Sequence, residues 1–483
     1  MADEKIPLGR TPVYELLPEA DVRKIVDAIF RLLRETGVAF DPDPRVLDLF
    51  SDAGCDISTD CVVRFETDFV KDCLETLPKI ARVWNRDGTD FLEMREGNTV
   101  FLPGMTCIRV FDLETGEPRD STFDDIATIT RVADALPNMD GVCVMVKDVP
   151  NPTLHGEIGE FVAMAENTGK SLQYLCENSA AFDAVIEMAA AVRGGMDQLV
   201  EKPYFTQIVT PLPLYYAKTH SDQIMRAAEC GIPVVTGTDA IGGAAVPYTI
   251  AGSMTHSFAT DFAGVALSQL VRKGAFCAPC SDNIFMEPQR GNLGSDVPGL
   301  LADLATRQLM THLGLLPMAG SGGGSRARRF NQDAAFQIAA GFEKMFFTRP
   351  AVADFMGELD SGLSFSLHSL LLCDDLAGML RCLWNGVTVD DEHLGLELAH
   401  KVGPKGSYLG QRHTVVHCRK NYWDSRYFGA NFPRSSSPAI PDRELVERID
   451  DDLREVLATH RPEPLPEPAR KEIRAILGRF EGA

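Results

Sequence analysis

Residues 205–238 read FTQIVTPLPLYYAKTHSDQIMRAAECGIPVVTGT and contain the pattern that decides the fold. Two short, mainly apolar runs, 205–209 and 233–236, flank a helical stretch over 221–230. An apolar strand, a helix and a second apolar strand in this order are typical of a parallel β-α-β unit. The stretch therefore predicts an α/β fold.

The same alternation continues upstream of this stretch. It predicts strands near 141–146 and 171–175, and helices near 124–136, 155–168 and 180–193. The pattern covers about 250 residues, the usual size of an α/β barrel, and contains no nucleotide-binding glycine fingerprint. We therefore predict a TIM-like (β/α)8 barrel over residues 101–434, although periodicity alone does not prove closure.

Two further regions flank the predicted barrel. Residues 1–100 contain an amphipathic helix over 21–36 and then short β-branched segments separated by turn signals, which predict an α+β extension packed on the barrel. Residues 435–483 begin with three serines and a proline, followed by a charged amphipathic helix over 442–459 and a proline-rich stretch. They predict a C-terminal helical arm.

Composition restricts the class of protein. Hydrophobic residues make up 45% and charged residues 24% of the chain, as in ordinary globular proteins. The net charge of −22 repels phosphate backbones and anionic lipids. We expect neither a nucleic acid nor a membrane as partner. Twelve dispersed cysteines and the lack of a secretory leader predict a cytoplasmic protein.

Three segments place glycine or polar residues directly after an apolar run, where the loops of a barrel build its active site. They are VVTGTDAIGGAAVP (234–247), FCAPCSDNIFMEP (276–288) and LLPMAGSGGGSRARRFNQDAAFQ (315–337). A glycine-rich turn before a helix can bind an anion, but a close-packed barrel turn explains the same glycines. Spacing alone leaves both interpretations open.

Two spacings are compatible with metal ligands. Cys277 and Cys280 form a CxxC pair, and His413 and His417 stand four residues apart on a predicted helix. The cysteines have no second pair of soft ligands nearby, and no acidic residue stands between the histidines as a zinc protease requires. We predict structural thiols and no metal site.

Several longer motifs make a family resemblance specific. They are DSGL (360–363), VGPKGSYL (402–409), QRHTVVHCRK (411–420) and, upstream, ETGVAFDPDPRVLDLFSDAGCDI (35–57), FDLETGEPRDSTFDDIATITRVADALPNMD (111–140) and AIGGAAVPYTIAG (240–252). In this order, over nearly the whole chain, they resemble the trimethylamine methyltransferase family. The resemblance implies a TIM barrel that transfers a methyl group to the cobalt(I) of a separate corrinoid protein.

The resemblance also indicates a branch of the family. Its best-known member carries pyrrolysine in the loop after the glycine-rich turn, where this chain aligns Arg328, and Asn331 and Gln337 replace acidic residues. The chain therefore resembles the pyrrolysine-lacking branch, which acts on quaternary amines such as glycine betaine. A quaternary nitrogen already carries the charge that lets a neutral amine leave, so no covalent activator is needed.

We accordingly expect a carboxylate-bearing quaternary amine as substrate. Arg328 is expected to bind its carboxylate, with His368 as a second donor. Aromatic side chains hold such cations through cation–π contacts. The candidates for this cage are Tyr215, Tyr216, Phe285 and Phe365. No tightly bound cofactor is expected, since the corrinoid (cobalamin) comes with a partner protein or as free cob(I)alamin, and a homo-oligomer is expected.

Two alternatives remain open at this point. The methyl donor could be a tertiary amine or a sulfonium compound instead. The altered loop RARRFNQ (326–332) is also compatible with a non-catalytic barrel that only binds a small ligand.

Overall fold

The computed structural model describes residues 14–289, 293–294, 297–318, 322–421, 423, 425–427 and 444–482. The helices are α1 (Glu19–Glu35), α2 (Pro44–Asp52), α3 (Thr67–Glu75), α4 (Phe123–Ala135), α5 (Leu154–Asn167), α6 (Ser179–Arg193), α7 (Met196–Glu201), α8 (Lys218–Cys230), α9 (Ile250–Val271), α10 (Val297–His312), α11 (Gln332–Thr348), α12 (Leu367–Trp384), α13 (Asp391–Leu394), α14 (Leu396–Val402), α15 (Arg412–Asn421), α16 (Leu445–Thr459) and α17 (Glu467–Gly478). Among the described residues, none of these helices has the length and apolar character to cross a membrane.

The strands are short, as expected for a parallel α/β fold. They are β1 (Val38–Phe40), β2 (Asp56–Ile57), β3 (Val62–Arg64), β4 (Ile80–Trp84), β5 (Phe91–Arg95), β6 (Val100–Pro103), β7 (Arg109–Phe111), β8 (Pro118–Asp120), β9 (Gly141–Cys143), β10 (Ser171–Leu175), β11 (Phe205–Val209), β12 (Tyr215–Tyr216), β13 (Val234–Thr236), β14 (Ala240–Gly242), β15 (Cys277–Pro279), β16 (Asn283–Met286), β17 (Leu293–Gly294), β18 (Val352–Met356), β19 (Glu358–Leu359) and β20 (Ser364–Phe365).

Five of these strands form the central parallel sheet, in the order β9-β10-β11-β13-β15. Consecutive strands are adjacent, and α5, α6, α8 and α9 lie between them in the sequence. This is the arrangement of successive β-α-β units. The prediction of a parallel α/β fold is confirmed.

A second parallel pair, β6 and β18, lies beside the first strand of this sheet. The Asp140 amide donates to the Phe101 carbonyl at 2.9 Å, and the Thr106 amide donates to Val144 at 2.7 Å. On the other side, the Ala351 amide donates to Pro317 at 2.7 Å. Among the described residues these seven strands form two separate parallel sheets, of five strands and of two strands, and closure into a barrel stays a prediction.

The parallel strands bury both of their faces. Val234 belongs to the large core shared with the helices, whereas the next residue, Val235, belongs to a second apolar cluster. Likewise Cys277 belongs to the large core and Ala278 to the second cluster, because successive side chains of a strand point to opposite faces. The second cluster also contains Ala81, Val83 and Met94 of the β4–β5 hairpin. The hairpin therefore packs against the face of the sheet that the helices do not cover.

The N-terminal region is joined to the sheet by its own strands. β1 pairs in parallel with β12, a two-residue strand that follows β11, and antiparallel with β3. The Phe40 ring stacks on Tyr216 with centroids 5.2 Å apart, and the Tyr215 hydroxyl donates to Asp41 at 2.7 Å. Residues on both sides of the predicted boundary at 100 thus share one small sheet.

The C-terminal helices pack on the outer helices. α16 contacts α12 and α4, and α17 contacts α6 and α5. Arg86 donates to the Glu463 carbonyl at 2.5 Å, and the His460 ring lies 2.8 Å from Asp134. The predicted arm boundary after residue 434 lies outside the described residues.

The glycine-rich run after residue 321 packs closely against α11 and β18. A Cβ on Gly341 of α11 would lie 2.0 Å from the Gly322 carbonyl oxygen, and one on Gly323 would lie 2.6 Å from the Met356 Cα atom. These glycines are therefore explained by close backbone approach.

We predict that Gly341→Ala lowers the free energy of unfolding by ~1–3 kcal/mol because the added methyl group overpacks this contact. The loss is expected even though alanine favours a helix over glycine by about 1 kcal/mol. Denaturant unfolding measures the effect. Gly478→Ala is the matched control, since it is also helical but its added Cβ would meet only the Glu481 Oε1 atom, at an ordinary 4.0 Å. Equal stability of Gly341→Ala and the wild-type protein would contradict the packing account.

Candidate functional site

Acidic side chains gather where the parallel strands end. Asp239 follows β13, Asp282 follows β15, Asp354 lies in β18 and Glu358 lies in β19. We call these four residues the acidic recess. The carboxyl ends of parallel strands are where α/β proteins bind their ligands, so this is the candidate functional site.

Burial and charge together show that the four side chains line a depression. Asp239 is exposed, and Asp282 and Asp354 are half-buried, whereas Glu358 is only 6% exposed. Nevertheless the surrounding protein raises the pKa of Asp239 by desolvation alone. A carboxyl group that water reaches, although protein surrounds it, lies in a concave surface rather than on a convex one.

The recess carboxyl groups resist ionisation. Burial raises the pKa of Asp282 well above its ordinary value, and the charges of Asp354 and Asp303 add to this. Burial likewise raises the pKa of Asp354 to about 7 and that of Glu358 to about 8. Near neutral pH the recess therefore holds carboxyl groups that a nearby positive charge would ionise.

Glu358 is fixed in place by the backbone after β6. Its Oε1 atom accepts a hydrogen bond from the Met105 amide at 2.9 Å. A Cβ on Gly104 would lie 2.3 Å from the Glu358 Cγ atom, so only glycine lets the glutamate lie this close. The glutamate packs against this loop.

One ammonium group lies near the acids. Lys344 of α11 forms an ion pair with Asp303 of α10, and both side chains are buried. The Lys344 charge lowers the pKa of Asp282 and of Asp354, but burial has the larger effect on both. The recess keeps an excess of acidic groups, which suits a small cation. No three His, Cys, Asp or Glu side chains within the described ranges are arranged to hold a metal ion.

The structure places Arg328 beside the recess but pointing outward. Its side chain is 88% exposed, and its Nε atom lies 3.8 Å from Asp360. The loop that carries it is held by backbone hydrogen bonds, from the Ser325 amide to Glu358 at 2.9 Å and from the Asp360 amide to Ala327 at 3.0 Å. Arg328 thus lies on the loop next to Glu358, and apart from the contact with Asp360 its side chain faces solvent.

The two amide residues of this loop have structural partners. Asn331 caps α11 by accepting a hydrogen bond from the Ala334 amide at 3.0 Å. Gln337 accepts from the Ser325 hydroxyl at 3.0 Å and from the Arg326 amide at 2.9 Å. Both side chains therefore shape the loop.

His368 lies under the C-terminal helices. Its Nε2 atom is 3.4 Å from Asp450 of α16, and its ring stacks on Phe330 with centroids 6.1 Å apart. Burial lowers its pKa. Its contacts within the described chain join α12 to α16 rather than to the recess acids.

The four aromatic candidates are dispersed. Tyr216 and Phe365 are buried, and Tyr215 donates to Asp41 in the N-terminal region. The Phe285 ring meets Tyr248 edge to face at 5.9 Å. Among the described residues no ring contact joins the four into one cage.

The two spacings that are compatible with metal ligands have the following contacts in the structure. Cys277 is buried, and burial raises its pKa to about 12, so it is a neutral thiol. His413 and His417 do share one face of α15, with ring centroids 4.2 Å apart. Both lie against Glu392, His413 on its carbonyl at 3.1 Å and His417 on its carboxylate at 3.2 Å.

Asp354 and Glu358 were missed by the sequence analysis. Both interrupt the apolar run VADFMGEL (352–359). A carboxylate within such a run is a usable signal, because acidic residues are rarely buried without a partner or a function.

The chain is similar to known methyltransferases over its whole length. A family model described as "Trimethylamine methyltransferase (MTTB)" matches residues 2–481. A glycine betaine methyltransferase from Desulfitobacterium hafniense (strain Y51) is 26% identical over 480 residues, covering 96% of this chain and 97% of the relative. A trimethylamine methyltransferase MttB from Methanosarcina barkeri is 25% identical over 484 residues, covering 96% of this chain and 94% of the relative.

The fold is similar to that of a solved methyltransferase. The Methanosarcina barkeri monomethylamine methyltransferase superimposes with a TM-score of 0.54 at 12% sequence identity. The similarity covers 99% of this chain and 90% of the solved chain.

We predict that Glu358→Gln weakens the pH dependence of stability. The folded-state pKa of Glu358 is about 8, against an ordinary value of 4.5. The stability that depends on its proton is therefore complete below the ordinary pKa and is lost as the pH rises through the folded-state value. Between about pH 5 and pH 8 the free energy of unfolding should fall less in the variant, by at least ~1 kcal/mol.

Denaturant unfolding across this pH range measures the difference, and glutamine keeps the acceptor for the Met105 amide. Glu472→Gln, at an exposed position on α17, is the control. Parallel pH profiles for Glu358→Gln and the wild-type protein would show that Glu358 is not held protonated.

Proposed function

The chain belongs to the trimethylamine methyltransferase family, and we propose that it transfers a methyl group from a quaternary amine to the cobalt(I) of a corrinoid protein. The observation that carries this proposal is the acidic recess at the carboxyl ends of the parallel strands. The relative named as a glycine betaine methyltransferase supports a quaternary amine as the donor.

A quaternary ammonium group fits the chemistry of the recess. It has no N–H group, so it cannot be held by donated hydrogen bonds and depends on nearby negative charge and on apolar contact. Asp239, Asp282 and Asp354 supply that charge at a surface that water reaches. As the cation enters, it favours their ionised forms, and the recess releases protons.

The methyl transfer needs positioning more than acid–base catalysis. The C–N bond breaks with its electron pair staying on nitrogen, so a neutral amine leaves and no proton is transferred. The corrinoid, a co-substrate, supplies the nucleophile. What the chain's own residues do is hold the cation with one methyl group facing the open side of the recess.

The fold suits this task if the parallel strands close into a (β/α)8 barrel, as we further propose. Segment 315–318 would then be the strand between β15 and β18. The hydrogen bond from the Ala351 amide to the Pro317 carbonyl supports this order. So does the presence of Leu316 and Met318 in the second apolar cluster, the one that contains Val235 and Ala278. The acidic recess would form the mouth of the barrel.

The substrate carboxylate is assigned to Arg328. A carboxylate is repelled by Asp239 and Asp282, so it would turn toward the rim, where the exposed guanidinium of Arg328 lies on the loop beside Glu358. A guanidinium binds a carboxylate through two parallel hydrogen bonds. This orientation leaves the ammonium group inward.

The direct test mixes the protein with cob(I)alamin and one methyl donor and follows methylcobalamin by its absorbance. We expect transfer from glycine betaine, with a KM that falls as the pH rises from about 6 to about 8, because the recess carboxyl groups ionise over this range. Trimethylamine, dimethylsulfoniopropionate and choline complete the panel. Transfer from trimethylamine or the sulfonium alone would assign a different donor.

Two results would contradict the proposal outright. One is the absence of transfer across the panel, and the other is tight binding of glycine betaine in calorimetry without transfer, which would indicate a binding protein. A KM that does not change with pH would show that the recess carboxyl groups do not bind the substrate cation.

We predict that Arg328→Ala raises KM for glycine betaine roughly tenfold, the cost of losing a charge-assisted contact. The same variant should leave KM for choline, which has no carboxylate, almost unchanged. Arg329→Ala is the control because Arg329 is paired with Glu117 at 2.8 Å. An equal effect of Arg328→Ala on both substrates would exclude carboxylate recognition by this arginine.

A further inference from the structure

Two hydroxyl–aspartate pairs stand side by side at the recess. Thr238 precedes Asp239 after β13, and Ser281 precedes Asp282 after β15. The two segments share one parallel register, which pairs Thr236 with Pro279 and Ala240 with Asn283. Between these pairs Thr238 therefore lies opposite Ser281, and Asp239 lies opposite Asp282.

A third aspartate joins the two hydroxyl groups. Asp261 of α9 accepts from the Thr238 amide at 3.1 Å and from the Thr238 hydroxyl at 2.7 Å with one oxygen. Its other oxygen accepts from the Ser281 hydroxyl. All three side chains are fully buried. One carboxylate thus holds the ends of two neighbouring strands.

The recess acids point the other way. Successive residues of an extended chain face opposite sides, so Asp239 and Asp282 turn away from Asp261. Their greater exposure agrees with this. When both acids are ionised, their like charges directly opposite one another are destabilising, so the strand ends then need other interactions to remain together.

The strand ends also approach closely at the backbone. The Cys280 amide donates to the Thr236 carbonyl at 2.8 Å. A Cβ on Gly237 would lie 2.1 Å from the Cys280 carbonyl oxygen. The spacing of the two acids is therefore set on one side by this contact and on the other by Asp261.

We propose that Asp261 is a positioning residue that holds Asp239 and Asp282 side by side so that both carboxylates face one quaternary ammonium group. This inference rests on the proposed function. Asp261 does not touch the substrate. It contacts the two strand ends through hydrogen bonds from the Thr238 amide and from the Thr238 and Ser281 hydroxyl groups.

The test measures binding of tetramethylammonium by calorimetry, since this cation carries no carboxylate and reports on the recess alone. Thr238→Val combined with Ser281→Ala removes both hydroxyl donors at little change in volume. We expect this double variant to bind roughly tenfold more weakly, because without the two hydroxyl hydrogen bonds to Asp261 the strand ends that carry Asp239 and Asp282 are no longer held side by side. Thr238→Ser keeps the hydroxyl and should retain the affinity.

A double-mutant cycle separates positioning from general destabilisation. If Asp261 acts through the hydroxyl groups, Asp261→Asn should add little to the loss already seen in the double variant. Ser257→Ala is the control, since Ser257 is a buried hydroxyl on the same helix that bonds only within it. Thermal unfolding of every variant identifies those that do not fold. If Asp261→Asn does not fold, binding by the Thr238 and Ser281 variants alone tests the proposal.

The outcomes distinguish this inference from the proposed function. Weaker binding in the double variant with normal binding in Thr238→Ser and Ser257→Ala supports it. Unchanged binding in the double variant, even with a lower melting temperature, overturns the positioning role and leaves the recess intact. If the wild-type protein itself binds no tetramethylammonium, the recess is not a cation site and both proposals fail.

Discussion

The desolvation of two acidic side chains at paired positions, Asp239 and Asp282, is the constraint around which the site is built. Desolvation raises the pKa of both carboxyl groups, and the charge of Asp239 adds to the effect on Asp282. Behind the strand ends, the Thr238 and Ser281 hydroxyl groups donate hydrogen bonds to Asp261, which joins the two strands. The Lys344 charge lowers the pKa of Asp282 less than burial raises it, and the substrate proposed for this family member would bring a further positive charge to the recess.

The rest of the fold makes such a site possible at one end of the sheet. Alternate side chains of the parallel strands pack on the outer helices and on an inner cluster that the β4–β5 hairpin joins. Asp239 and Asp282 of the recess lie just after two of these strands. Glu358 lies against Gly104 and Met105 at this end, while α16 and α17 pack on the outside of the molecule.

The sequence patterns predict the local elements well and the long-range pairings poorly. β10 and β11 begin and end where their mainly apolar runs do, because parallel strands buried on both faces are rich in apolar residues. Tyr216 was expected to contact substrate, yet β12 pairs with β1 and the ring stacks on Phe40. No local pattern encodes that pairing. Asp354 was missed because its partners come from other strands.

A quaternary cation bound among the recess acids can be located by crystallography. Arsenobetaine replaces the nitrogen of glycine betaine with arsenic, which scatters X-rays anomalously, so a crystal grown with it would locate the cation directly. We predict one strong arsenic peak bordered by Asp239, Asp282 and Asp354. An arsenic peak elsewhere on the molecule, with none in the recess, would contradict it.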